Sequence, residues 1–159
     1  MGYLLDTDVF LQAKNRHFGF DFCPGFWDWL QKRHAAGIVF SIEKVRNELT
    51  DPDAATWAAA QPDSFFLAPD TPVVAALATV ATWATGQGYQ QSAITTFLGS
   101  ADYYLISHAL AHGHVVVTHE VPANSLKQIK IPSVCIGMNI PCMNPFEMLR
   151  RERAVFVLA

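Results

Sequence analysis

At 159 residues the chain has the length of one domain with one core. With 51% hydrophobic and 16% charged residues, it is excluded from the class of disordered chains. Its net charge of −3 excludes the overall basic footprint of a general nucleic-acid binder, and the charge is uneven: residues 1–120 hold six Lys/Arg against twelve Asp/Glu, the remainder five against two.

Tyr3-Leu4-Leu5, apolar at successive positions and ended by Asp6, predicts a strand buried on both faces. Pro24 to Ala36, with a proline in its first turn and Gly37 behind it, predicts a helix. Ile38-Val39-Phe40 reads as the second strand, and Ser41 as the cap of a helix carrying Ile42, Val45 and Leu49 on one face before Asp51-Pro52. An alanine-rich helix near Asp53 to Ala60 and a third strand at Phe65-Phe66-Leu67 follow. Thr71-Pro72 opens a helix running to Gly86, Ser100 is placed to cap another from Ala101 to His112, and Gly113 stops it. Val115 to Thr118 is the clearest strand, a last strand is expected near Val134-Cys135-Ile136, and Asn144-Pro145 opens a C-terminal helix to about Arg153. Short apolar strands alternating with helices predict a single α/β domain over 1–159: a three-layer α/β/α sandwich with a mostly parallel central sheet.

The charge-free interval from Thr71 to Ala101 is broken by Gly86, Gly88 and three glutamines before about 20 apolar residues accumulate, so no membrane span is expected. No basic segment followed by an apolar stretch opens the chain, which predicts a cytoplasmic location. Cys23, Cys135 and Cys142 are too few for a disulfide framework and lack C-x-x-C spacing; they are expected as free, buried thiols.

Ligands of an open parallel sheet sit beyond the carboxyl ends of its strands. Asp6 and Asp8 follow the first strand, and Glu120 follows Val115 to Thr118. Asp102 shares a helical stripe with Leu105, Ile106 and Ala109, so its carboxylate turns inward and needs a cationic partner. Glu48 borders the apolar face of its helix, roughly 10 Å from the helix start, and reaches the same edge only if that helix leans across it. Carboxylates converging in one cleft repel one another and stay ionised only beside cations. Oxygen ligands without Cys or His suit Mg²⁺ or Mn²⁺, ions that hold phosphates and activate water, which points to phosphodiester hydrolysis.

Leu4-Leu5-Asp6-Thr7-Asp8-Val9-Phe10, Val45-Arg46-Asn47-Glu48-Leu49, Ala101-Asp102-Tyr103-Tyr104-Leu105-Ile106 and Val116-Val117-Thr118-His119-Glu120 occur in the order seen in PIN domains. The chain resembles that family over residues 3 to about 136, and looks most like a PIN-like subgroup catalogued as a domain of unknown function. The resemblance implies a catalytic quartet of Asp6, Glu48, Asp102 and Glu120, with Asp6, Asp102 and Glu120 on metal, and with Thr118 and Asp8 beside the substrate. It implies a Mg²⁺- or Mn²⁺-dependent endoribonuclease acting on RNA, the toxin of a type II toxin–antitoxin pair, homodimeric and neutralised by a cognate antitoxin. Two residues depart from the family pattern: Asp8 stands where Asn or Ser is more usual, and Glu120 where Asp is commoner.

A haloacid-dehalogenase-type phosphatase is the alternative enzyme, because Asp6-Thr7-Asp8-Val9-Phe10 after a strand resembles its D-x-D-x-[TV] motif with Asp6 as nucleophile. It also requires a placed lysine and a later acid pair, of which Glu120 supplies one member. An inactive PIN-like interaction protein is the non-enzymatic alternative. His108 and His112, spaced i, i+4 and followed by His114, are expected on a solvated face opposite Asp102 rather than on zinc. The aromatic segment Phe18 to Trp29 is divided between core and a dimer or antitoxin surface. Lys127, Lys130, Arg150, Arg151 and Arg153 are candidates for a phosphate-facing surface or a solvated tail.

Overall fold

The computed structural model describes residues 2–158. Five strands form one sheet in the order β3-β2-β1-β4-β5: β1 (Tyr3–Leu5), β2 (Val39–Ile42), β3 (Phe66–Leu67), β4 (Val115–Val117) and β5 (Cys142–Met143). Every neighbouring pair is parallel. Helices cover both faces, giving the expected three-layer α/β/α architecture. All three residues of β1 and all three of β4 are buried, as central strands of a covered parallel sheet must be.

The helices are α1 (Thr7–Gln12), α2 (Pro24–Ala35), α3 (Glu43–Glu48), α4 (Pro52–Ala59), α5 (Thr71–Thr85), α6 (Gln91–Leu98), α7 (Ala101–His112), α8 (Ile131–Met138) and α9 (Pro145–Arg151). Proline occupies the first turn of α2, α4, α5, α8 and α9, where its missing N–H has no intrahelical partner to lose. Asp51 caps α4, Asp70 caps α5 and Asn144 caps α9 through side-chain acceptors. Gly113, at φ 70°, ends α7 in the left-handed conformation that costs glycine nothing.

The fold departs from the expected elements in several places. Val134-Cys135-Ile136 is not a strand; it lies in α8, and the edge strand β5 comes six residues later. Ser41 is no cap: it lies in β2, and its buried hydroxyl donates to the Leu5 carbonyl at 2.6 Å, tying β2 to β1. Ser100 sits at the start of α7 without capping it, its hydroxyl donating back to Phe97 O. Helices α1 and α6 and a π-helical turn at Ala13–His17 were not anticipated.

Helix α7 lies between the sheet and α5, against which Tyr103 Oη is fixed by a 2.6 Å bond to Leu77 O. This covers the face on which His108 was expected to be solvated. His108 is 2% exposed, and its burial pushes its pKa down to about 4. Most of the aromatic segment is likewise core: Phe26 and Trp27 are buried, and Phe18 stacks on Phe26 with centroids 4.5 Å apart. Among the described residues, no helix is long and apolar enough to cross a membrane.

Candidate metal centre

The strand order reverses at β1: β2 and β3 lie on one side, and the chain then crosses to place β4 and β5 on the other. The crevice between the carboxyl ends of β1 and β4 is therefore the topological switch point. Leu5 pairs with Val117, and Asp6 N donates to Val117 O at 2.9 Å, so Asp6 and Thr118 leave the sheet side by side.

Asp6 is 5% exposed and serves as the N-cap of α1, its Oδ1 accepting from Thr7 N at 2.7 Å. Its Oδ2 lies 2.9 Å from the Thr118 hydroxyl, which also lies 3.2 Å from Asp8 Oδ2 and accepts Glu120 N at 3.1 Å. Asp8 is held further by His119 N, at 3.1 and 3.2 Å from its two oxygens. A hydroxyl carries one proton and cannot donate fully to two carboxylates. The arrangement is satisfied when one carboxyl is itself protonated, and Asp6 is the group whose pKa is raised well above the usual carboxylate range. Burial is the main cause, followed by the charges of Asp8 and Asp102, with the Thr118 bond opposing them.

Asp102, in the first turn of α7, comes back to the same crevice. Its pKa is pushed up to about 7, by burial first and then by Glu120, Glu48 and Asp8. Glu120 is also raised by burial, against the opposing pull of Lys130, whose Nζ stands 3.6 Å from Oε1. The other oxygen, Oε2, is buried without a hydrogen-bond partner. One ligand oxygen from each of Asp6, Asp102 and Glu120 falls within 4.8 Å of the others; among the described residues no other group of three His, Cys, Asp or Glu does so.

Glu48 stands apart from that trio. It is exposed at the end of α3, and its Oε2 accepts from the Thr7 hydroxyl at 2.9 Å, so α3 does lean toward the edge. The three histidines of α7 and its C-terminal turn do not form a ligand group. His112 pairs with Asp70 at 2.7 Å, and His114 Nδ1 accepts Gly2 N at 2.9 Å.

The donor set fits a hard divalent cation. It contains only oxygens, Lys130 stands 3.6 Å from Glu120 Oε1, and Glu120 Oε2 is left unsatisfied. Without a cation, burial and the neighbouring negative charges raise the pKa of Asp6, Asp102 and Glu120 alike, which disfavours their charged forms.

Two grooves meet at Glu120. One, of roughly 340 Å³, runs from Asp102 past Ser100 and Thr96 to Lys127 and Lys130. The other, of roughly 950 Å³, runs from Thr118 and His119 along α8 to Pro141, Met143 and Phe146. His119 is fixed in its wall by stacking on His17, with centroids 5.6 Å apart. Sequence reasoning had not singled out His119, although its place next to Thr118 after a central strand was a usable signal. Lys127 and Lys130 thus reach the site, whereas the arginines at the end of α9 do not: Glu152 there bonds Tyr3 Oη at 2.8 Å and Arg33 at 3.0 Å, at the amino end of β1.

No curated protein and no solved structure matches the chain. Residues 3–156 match the model of a family described as a domain of unknown function, DUF4411. Since that match runs through all five strands and every residue of the carboxylate cluster, the chain belongs to the DUF4411 family.

Proposed function

We propose that the protein is a metal-dependent endoribonuclease of the PIN type. The observation that carries this reading is the convergence of Asp6, Asp102 and Glu120 at the switch point of a parallel sheet, with oxygen atoms within 4.8 Å of one another. These three would hold Mg²⁺ or Mn²⁺. A metal bound there supplies charge to phosphate oxygens and lowers the pKa of water. Thr118 holds Asp6 and Asp8 side by side, while Glu48, exposed and oriented by Thr7, is available to take a proton from an attacking water. Lys127 and Lys130 line the groove beside Asp102 and Glu120 and would receive the phosphates that flank the cut.

The phosphatase alternative is weaker. It requires Asp6 as an ionised, accessible nucleophile, and Asp6 is 5% exposed, bonded at both oxygens and shifted toward its protonated form. In the toxin reading, the protein acts against RNA until an antitoxin covers the site. Val121 and Ile136, each 72% exposed on the rim of the larger groove, offer that partner apolar contact. A homodimer is part of the same reading.

Purified protein is expected to cut RNA with Mn²⁺ or Mg²⁺ and to stop on addition of EDTA, while leaving a phosphomonoester untouched. Cleavage that persists in EDTA, or turnover of the phosphomonoester with inert RNA, overturns the proposal. Coexpression with the product of the neighbouring reading frame should abolish cleavage if that product is the antitoxin.

A further inference from the structure

Among the described residues, no Lys or Arg lines the larger groove, while Glu120 and Glu147 do. It therefore repels a phosphate, whereas the smaller groove, which meets it at Glu120, presents Lys127 and Lys130. What the larger groove offers beside Glu120 is ring surface. His119 and Phe146, both half-buried, line it and stand edge to face with centroids 5.9 Å apart. Both are fixed from behind by residues that do not line it. His17 stacks on His119 at 5.6 Å and meets Phe146 edge-on at 5.0 Å, and Phe18 packs on Phe146 at 6.4 Å. The backbone fixes the rings as well: His17 closes the π-helical turn, His119 N is held by both Asp8 oxygens, and Phe146 follows Pro145 in the first turn of α9, which Asn144 caps. Rings held in this way lose little freedom when a flat ligand lies on them.

We propose that the larger groove is a nucleobase subsite, in which one unpaired base of an RNA strand held at the carboxylates stacks against Phe146 and His119. The inference rests on the nuclease reading and adds to it which part of the substrate this groove takes. A base is flat and uncharged, so it suits a wall of rings from which phosphate is excluded. Continuity between the grooves supplies the rest. Thr118, His119 and Glu120 line one, and Asp102, Glu120 and the two lysines line the other, so a strand crossing the carboxylates passes from phosphate contacts on one side to base contacts on the other. A base stacked and paired within a duplex does not present its face to such a wall; one splayed out of a single strand does. Phe146 and His119 are then the residues that set which nucleotide lies beside the cut.

The test is fluorescence anisotropy of the full chain with a short labelled single-stranded RNA, in Ca²⁺ in place of Mn²⁺, using the intact strand and a series in which a single abasic residue is walked along it. One abasic position is expected to weaken binding by the parent about 10-fold or more, the scale of one lost base–aromatic stack. Phe146→Leu, which keeps apolar bulk and loses the ring, should weaken binding of the intact strand to a similar degree and lose little further with that same abasic strand. Phe146→Tyr should bind as the parent does. The proposal is overturned if the parent does not bind the RNA, if no abasic position weakens binding, or if the two losses add independently. It is equally overturned if Phe146→Leu binds the intact strand as the parent does, which leaves the groove to a protein partner. The abasic series on the parent decides the matter even if a variant folds poorly. A parent that shows the expected binding pattern but leaves the RNA uncut in Mn²⁺ sinks the nuclease reading and keeps the base subsite.

Discussion

Thr118 is the residue on which the candidate site turns. Its hydroxyl faces Asp6 and Asp8 and accepts the backbone of Glu120, so a single oxygen positions three acidic residues from two strands. Removing it in Thr118→Val leaves the buried Asp6 with one fewer donor and Glu120 N without its acceptor, a loss of about 1–3 kcal/mol for an unsatisfied buried group. Because outer partners orient ligands, Mn²⁺ affinity should also fall by about 10–100-fold. Thr118→Ser keeps the hydroxyl and should retain most of both. Thermal melting and Mn²⁺ titration of the pair check this; equal metal affinity in the valine variant and the parent would show that Thr118 positions nothing. Lys130 tests the opposite sign. As the cation facing Glu120, it relieves the cluster, so Lys130→Ala should melt lower without metal and gain more from Mn²⁺ than the parent does.

At the scale of elements, the sheet was legible where apolar strands were flanked by helix signals, and illegible where a strand had no pattern of its own. β5 is two residues long, Cys142-Met143, between a proline and an asparagine, and its place is set by pairing with β4 rather than by periodicity. In α8 the β-prone run Val134-Cys135-Ile136 was misleading. The deciding spacing was Ile131, Val134 and Cys135 buried with Ile136 72% exposed, an i, i+3, i+4 face behind Pro132 in the first turn. The same logic explains the site. Asp6, Asp8 and Glu120 could be found because they follow strands, and Asp102 because it lies on an apolar stripe. His108 was misplaced because a one-sided helix was assumed, whereas α7 is covered by the sheet and by α5. Packing of α8 yields its own test. A Cβ on Gly137 would stand 2.2 Å from Trp83 Cζ2, in the partly buried indole packed against it. Gly137→Ala should therefore lose about 1–3 kcal/mol by overpacking, despite a gain in helix propensity of about 1 kcal/mol. Trp83→Leu should relieve much of that loss, so the double variant is expected to be more stable than the sum of the two single changes implies. Independent, additive losses in chemical denaturation would show that the indole can move aside.

At the scale of the whole molecule, two buried groups titrate in opposite senses and shape stability across neutral pH. The Asp102 pKa rises on folding from 3.8 to about 7, so from pH 3.8 upward the unfolded chain sheds a proton that the folded chain retains. By linkage, metal-free stability falls as pH rises across that interval, and the shift corresponds to about 4 kcal/mol. Asp6, raised well above 3.8, extends the fall in the same direction. The His108 pKa drops on folding from 6.5 to about 4, so between those values the unfolded chain holds the extra proton and stability rises with pH. The two trends oppose each other below pH 6.5; above it only the carboxylates remain. Metal-free protein should accordingly lose melting temperature from pH 6.5 to 8, and saturating Mn²⁺ should abolish that loss, because ligation requires the deprotonated carboxylates. Asp102→Asn isolates the cluster: against the parent it should gain little at pH 4, progressively more toward pH 7, and nothing further above it. His108→Gln isolates the histidine: its deficit against the parent should shrink as pH falls from 6.5 to 4, since the parent loses His108's contribution there. If Asp102→Asn instead tracks the parent at a constant offset from pH 4 to 8, Asp102 is not protonated near neutrality in the folded chain. The crowding of Asp6, Asp102 and Glu120 would then be relieved by a protein partner, and the case for a cation between them would fail.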